Sequence, residues 1–143
     1  RPPIAVERII VHGTAAGIPA ANVAKAELGR TAHVESFRRV RAAGGCIAMG
    51  TDAGTPFNFH GENARELALM VEAGMSPMEA IIATTSEAAD LIQVEAGRLK
   101  EGSLADVLVV AGDPLEDINV LRQRENLVAV IARGRFYRRG EAL

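Results

Sequence analysis

The sequence predicts an α/β fold, and three stretches carry that prediction. Residues Ala20 to Ala43 have helical apolar spacing and stop at Gly44-Gly45. The run Cys46-Ile47-Ala48-Met49 follows at once, four apolar residues suited to a strand covered on both faces. That run ends at Gly50-Thr51-Asp52-Ala53-Gly54-Thr55-Pro56, an acid followed by a glycine and proline loop. A helix feeding directly into a buried strand is the αβ half of an α/β unit. In barrels and open α/β sheets the carboxyl end of such a strand carries the chemistry.

Taken in order, Ile4 to Val11 fits a short strand and a helical turn equally well. His12 and Gly13 to Gly17 form a loop, and Pro19 suits a first helical position because its missing N–H loses nothing there. In the helix that follows, Val23, Ala26, His33, Phe37 and Val40 share one face, with Arg38, Arg39 and Arg41 off it. A second helix is expected over Glu62 to Ala73, buried nearly all round and ended by Gly74. Ser76-Pro77-Met78-Glu79 has a cap, a first-turn proline and a capping-box acid in the right order. Ser86 is placed to cap a short helix over Glu87 to Ile92. From Gly97 the texture changes to turns and β-runs, Val107 to Ala111 and Leu127 to Ala132, with Arg133-Gly134 as a tight turn into Arg135 to Arg138.

Composition narrows the function. Hydrophobic residues are 48% of the 143, which supports a core and argues against disorder. Aromatic residues are 3%, there is no Trp, and the net charge is −2, so a nucleic-acid binder is not expected. Arg133, Arg135, Arg138 and Arg139 read as a solvated hairpin. No apolar stretch approaches the roughly 20 residues of a membrane span. The one cysteine, Cys46, permits no internal disulfide, reads as a buried thiol, and fits a reducing, cytoplasmic setting. The chain starts Arg1-Pro2-Pro3, without an initiator Met, as expected of a piece of something longer.

Asp52 leads the candidate residues. A carboxylate at a strand end beside a glycine loop can bind a metal and move a proton; it can equally cap the loop or the next helix. His60, at the start of the second helix, either faces a ligand or is satisfied by backbone groups. His12 and His33 are weaker, and His33 falls on a packed helix face. There is no His-x-His, no His-Glu-x-x-His, no Cys-x-x-Cys, no Gly-x-Ser-x-Gly and no phosphate-binding glycine loop. The residues alone do not make up a complete active site.

Three blocks in order then resemble one family. Gly50-Thr51-Asp52-Ala53-Gly54 with His60-Gly61-Glu62-Asn63 and Glu66-Leu67 is similar to the last barrel strand and loop of the amidohydrolase superfamily. Val71 to Ile81 resembles the helices that follow, in the imidazolonepropionase-like and Xaa-Pro dipeptidase or carboxypeptidase branch. Gly97 to Val110 and Gly112 to Ile118 resemble the return into its small β-sandwich. The resemblance implies the C-terminal part of a (β/α)8 metallo-dependent hydrolase barrel, residues 1–96 holding the last αβ units and residues 97–143 strands of the sandwich. It implies hydrolysis of amide, peptide or cyclic C–N bonds by a metal-activated water. One or two divalent ions, zinc by preference, are implied, with the other ligands N-terminal to this chain.

By the same resemblance Asp52 is metal ligand and proton shuttle, and His60 lies near a small or dipeptide-like substrate. The first-strand His-x-His, the bridging lysine and two later histidines of the family are absent here. The chain alone is therefore expected to be inactive, to need an N-terminal barrel segment as partner, and to associate as a homo-oligomer through its open strand edge. The alternative is a non-catalytic structural or oligomerising module.

Overall fold

The computed structural model of this chain describes residues 3–55 and 58–138. Pro56 of the expected loop and Arg139 of the basic cluster lie outside them. Five helices come first: α1 Pro3–His12, α2 Ala20–Ala42, α3 Ala64–Glu72, α4 Pro77–Thr84 and α5 Ser86–Leu91. Strands β1 Val107–Val110, β2 Leu127–Ala132 and β3 Arg135–Arg138 follow, with two short 3-10 helices, Ile118–Arg122 and Arg124–Asn126, between β1 and β2.

Helix α3 is the hub on which α1, α4 and the first 3-10 helix pack. Its Leu67, Ala68 and Met70 join Met75, Ala80, Ala83 and Ile118 in one buried cluster. The end of α3 explains how the next segment joins that cluster. Gly74 takes φ +117, its N–H reaches the Val71 carbonyl, and the Met75 N–H reaches the Met70 carbonyl. These two bonds make a Schellman cap, and its usual apolar contact brings Met75 back towards Met70. Helix α2 ends the same way, with Gly44 N–H on Arg41 and Gly45 N–H on Val40, as its paired glycines predicted. The α4 capping box is complete: Glu79 N–H donates to Ser76 Oγ (3.2 Å) and Ser76 N–H to Glu79 Oε2 (2.6 Å).

The remaining helices depart from expectation in detail. The undecided stretch Ile4 to Val11 is helical. Thr85, not Ser86, is the N-cap of α5, and it makes no side-chain cap bond; its hydroxyl instead donates back to the Ile81 carbonyl at 2.7 Å. On α2, Val23, Ala26, His33 and Phe37 are half-buried as the spacing predicted, while Val40 is exposed.

The main correction concerns the buried strand expected at Cys46 to Met49. No strand is formed there; Cys46 is exposed and Ile47 to Met49 are half-buried. A strand exists through its ladder, and this segment has none among the described residues. Its Met49 N–H donates instead to the Ala83 carbonyl at the end of α4 (2.9 Å). The parallel sheet expected from that run is likewise not seen among the described residues. The sheet present is antiparallel, in the order β1-β2-β3.

β2 and β3 have the predicted limits, and β1 ends at Val110, one residue before the Ala111 expected. Leu108 pairs with Val130 and Val130 with Tyr137, and the β2–β3 turn places Arg133 at φ +50 and Gly134 at φ +74. Two positive φ values in a two-residue connection are those of a type I′ hairpin, whose twist matches the strands. Arg133 and Arg135 are exposed on it, in keeping with a solvated hairpin. The connector from α5 to β1 is held to the helices. A Cβ on Gly97 would lie 2.5 Å from the Thr85 carbonyl carbon and oxygen, and Arg98 grips Asp90 through two nitrogens at 2.8 and 2.6 Å. None of the described helices is long and apolar enough to cross a membrane.

Candidate active site

Asp52 lies in a loop that closes on itself. Its backbone is left-handed, φ +54, a conformation few residues other than glycine accept and that aspartate tolerates. The Asp52 carbonyl accepts from Thr55 Oγ1 (3.0 Å) and, at 3.4 Å, from Thr55 N–H. The Thr55 carbonyl accepts from Asn58 N–H (3.0 Å), and the Asn58 carbonyl from Gly54 N–H (2.8 Å). The Asp52 side chain is exposed, and no hydrogen bond or ion pair engages its carboxylate among the described residues. It is not a cap: the N-cap of α3 is Asn63, without a side-chain bond.

His60 folds back over this loop. A Cβ on Gly54, itself at φ +100, would stand 3.2 Å from His60 Nε2 and 3.8 Å from Cε1. The imidazole thus lies against the backbone two residues after Asp52, close enough that a side chain at Gly54 would have to displace it. Neither ring nitrogen is hydrogen-bonded among the described residues, and the residue is exposed. The loop brings His60 to the Asp52 turn and leaves both polar ends open.

The other two histidines lie elsewhere. His12 is exposed in the last turn of α1. His33 is half-buried on α2 and lowered from its ordinary pKa by burial. It borders a hollow of about 520 Å³ shared with Glu7, Arg38 and Met70. A wider hollow of about 1060 Å³ runs from Gly61 past Arg65 to Arg122. Asp52 borders neither.

Cys46 is not the buried thiol expected. It is exposed, and it donates to Glu87 Oε2 at 2.7 Å. That hydrogen bond to a carboxylate pushes the thiol above its ordinary pKa, with Asp90 adding to the effect. Such a cysteine disfavours the thiolate that a nucleophile needs.

Asn58 is the residue that sequence reasoning missed. It is only 2% exposed. Its amide nitrogen donates to the Thr51 carbonyl, while its Oδ1 is buried without a partner among the described residues. The orientation follows from chemistry, because only the nitrogen end can bond a carbonyl. The signal available was a turn-forming Asn between Phe57 and Phe59, two aromatic neighbours in an otherwise polar loop.

Residues 3–137 match the Amidohydrolase family. Ochratoxinase from Aspergillus niger is 32% identical over 137 residues, which are 93% of this chain and 28% of that protein. Among solved structures, a Xaa-Pro dipeptidase with bound methionine in the active site superimposes with a TM-score of 0.79 at 35% identity, over 96% of this chain and 34% of that one. A putative prolidase from Bifidobacterium longum gives 0.84 at 30% identity, over 94% and 33%. The chain thus spans about a third of the length of the proteins it matches. On the match across residues 3–137 and these likenesses, the chain belongs to the amidohydrolase family.

Proposed function

We propose that this chain supplies the catalytic carboxylate and part of the substrate-facing loop of a metal-dependent amidohydrolase. One observation carries the reading: the Asp52 carboxylate stands at a pinned left-handed turn, unpaired among the described residues, with the His60 ring over Gly54 two residues on. A carboxylate is a hard oxygen donor and fits one position of a divalent-ion site. No group of three His, Cys, Asp or Glu able to hold an ion occurs among the described residues. In this reading the other ligands therefore belong to a segment outside these 143 residues. Residues 1–96 are then the last αβ units of a (β/α)8 barrel, and residues 97–143 strands of a composite β-sandwich.

A bound divalent ion, zinc in this reading, lowers the pKa of the attacking water and polarises the scissile carbonyl. The residues of this chain do the proton work. Asp52 takes one proton from the water as its oxygen bonds the carbonyl carbon, and gives it to the leaving nitrogen as the C–N bond breaks. His60 orients the substrate from the same loop. The class we favour is a dipeptide or acyl-amino acid. Its support is that a prolidase similar in structure to this chain was solved with N-methylphosphonate-L-proline.

The test is Asp52→Asn in the full-length protein. Turnover should fall by at least about a thousandfold, because both metal contact and proton transfer are lost, with an unchanged melting curve. Full activity in that variant would end the assignment. The scarcity of metal donors also favours a second reading, a non-catalytic structural or oligomerising module. Stoichiometric zinc binding with hydrolysis by the 143-residue chain would remove it.

A further inference from the structure

We propose that Asn58 is the positioning residue for Asp52, an inference that rests on the reading of Asp52 as the reacting carboxylate. The direction of a Cα–Cβ bond is set by the two peptide planes that meet at that Cα. At Asp52 both planes are held. The plane before it carries the Thr51 carbonyl, which accepts from the Asn58 amide nitrogen. The plane after it carries the Asp52 carbonyl, which accepts from the Thr55 hydroxyl at 3.0 Å. A left-handed non-glycine residue persists only where its surroundings over-determine it, and these two bonds are the determinants the loop offers.

The cost side of Asn58 points the same way. An apolar residue of similar volume would fill the site without burying an unpaired oxygen. The chain instead keeps an amide whose Oδ1 has no partner among the described residues, and such a buried orphan calls for an explanation beyond packing. The amide nitrogen supplies it, since among the described residues it ties the loop to the peptide ahead of Asp52. Backbone bonds from the same residue close the loop behind it: Asn58 N–H to Thr55 and Gly54 N–H to Asn58. Asn58 thus fixes where Asp52 points and holds the Gly54 segment on which His60 rests.

The experiment compares Asn58→Leu, which keeps the volume and removes the donor, with Asn58→Ser, which keeps a donor. Both are made in the full-length protein, beside Asp52→Asn. Loss of the donor should lower kcat about ten- to hundredfold, the usual effect of losing a partner that orients a metal-site residue. KM should stay within about twofold. Amide exchange at Gly54 and Thr55 should quicken at least about tenfold, and the serine variant should recover part of both losses. Unchanged kcat and unchanged exchange in Asn58→Leu would overturn the proposal. So would a fall in melting temperature that accounts for the whole loss in both variants. If Asn58→Leu does not fold, the serine variant decides: its kcat should fall and its exchange at Gly54 and Thr55 should quicken, each by less than the leucine ranges above, and quickened exchange at wild-type kcat would overturn the proposal. Full activity in Asp52→Asn would instead remove the catalytic reading of Asp52, with the exchange data still judging Asn58.

Discussion

Residue by residue, one two-pronged ion pair outside the loop is Arg65 on Glu7. Arg65 Nε meets Glu7 Oε2 at 3.1 Å, and a second guanidinium nitrogen meets Oε1. The fork is about four-fifths buried on both sides, and a lysine there would lose its two-point grip. The Arg65 hydrogen bond holds the Glu7 carboxyl below its ordinary value of 4.5. A carboxyl depressed by folding stabilises fully above that value, and loses its contribution as pH falls through the lower, folded one. Glu7→Gln should therefore flatten the acid limb of stability below about pH 4.5 and cost about 1 kcal/mol at neutral pH, read by denaturant titrations across pH. At this scale the sequence was half legible. Asp52 and His60 stood out by their place beside glycines, whereas Asn58 and Arg65 did not. Their importance comes from burial and from partners up to 58 positions away in the chain, which local spacing does not encode.

Among the elements, those built from local rules were the ones read correctly. The α4 capping box, the two glycine caps and the hairpin each follow from neighbours within a few residues. Ser76→Ala should lower stability by about 1 kcal/mol, visible as a drop in melting temperature. The misread elements needed non-local information. Cys46 to Met49 has the composition of a buried strand, but a strand is made by its neighbours, and none pairs with it among the described residues. The 3-10 helix at Ile118 lies between the two expected β-runs, where no element was predicted. It is started by Asp117, whose Oδ1 accepts from Asn119 N–H at 2.9 Å, and Ile118 fills the core below it.

For the whole molecule, the notable quantity is apolar surface left in water. Leu99 is 88% exposed, Leu28 76% and Leu91 73%, and Leu108, Val130 and Tyr137 stand exposed in register across the sheet. Surfaces of this kind associate. The isolated 143-residue chain should elute well above its 15.1 kDa mass in size-exclusion chromatography at micromolar concentration; a clean monomer peak would contradict this. The α/β class and the family were legible because short ordered blocks do not depend on distant parts of the fold. The arrangement of Cys46 to Met49 was not, because it depends on which other segments lie alongside.

One backbone bond has a mechanical meaning. Met49 N–H is moored to the Ala83 carbonyl, and the Thr84 hydroxyl meets the Met49 sulfur at 3.2 Å. The approach to Asp52 is thus anchored to the last turn of α4, so that helix acts as the mast from which the loop is rigged. Loosening that last turn should therefore loosen the segment that leads to Asp52, which would be read as faster amide exchange at Met49.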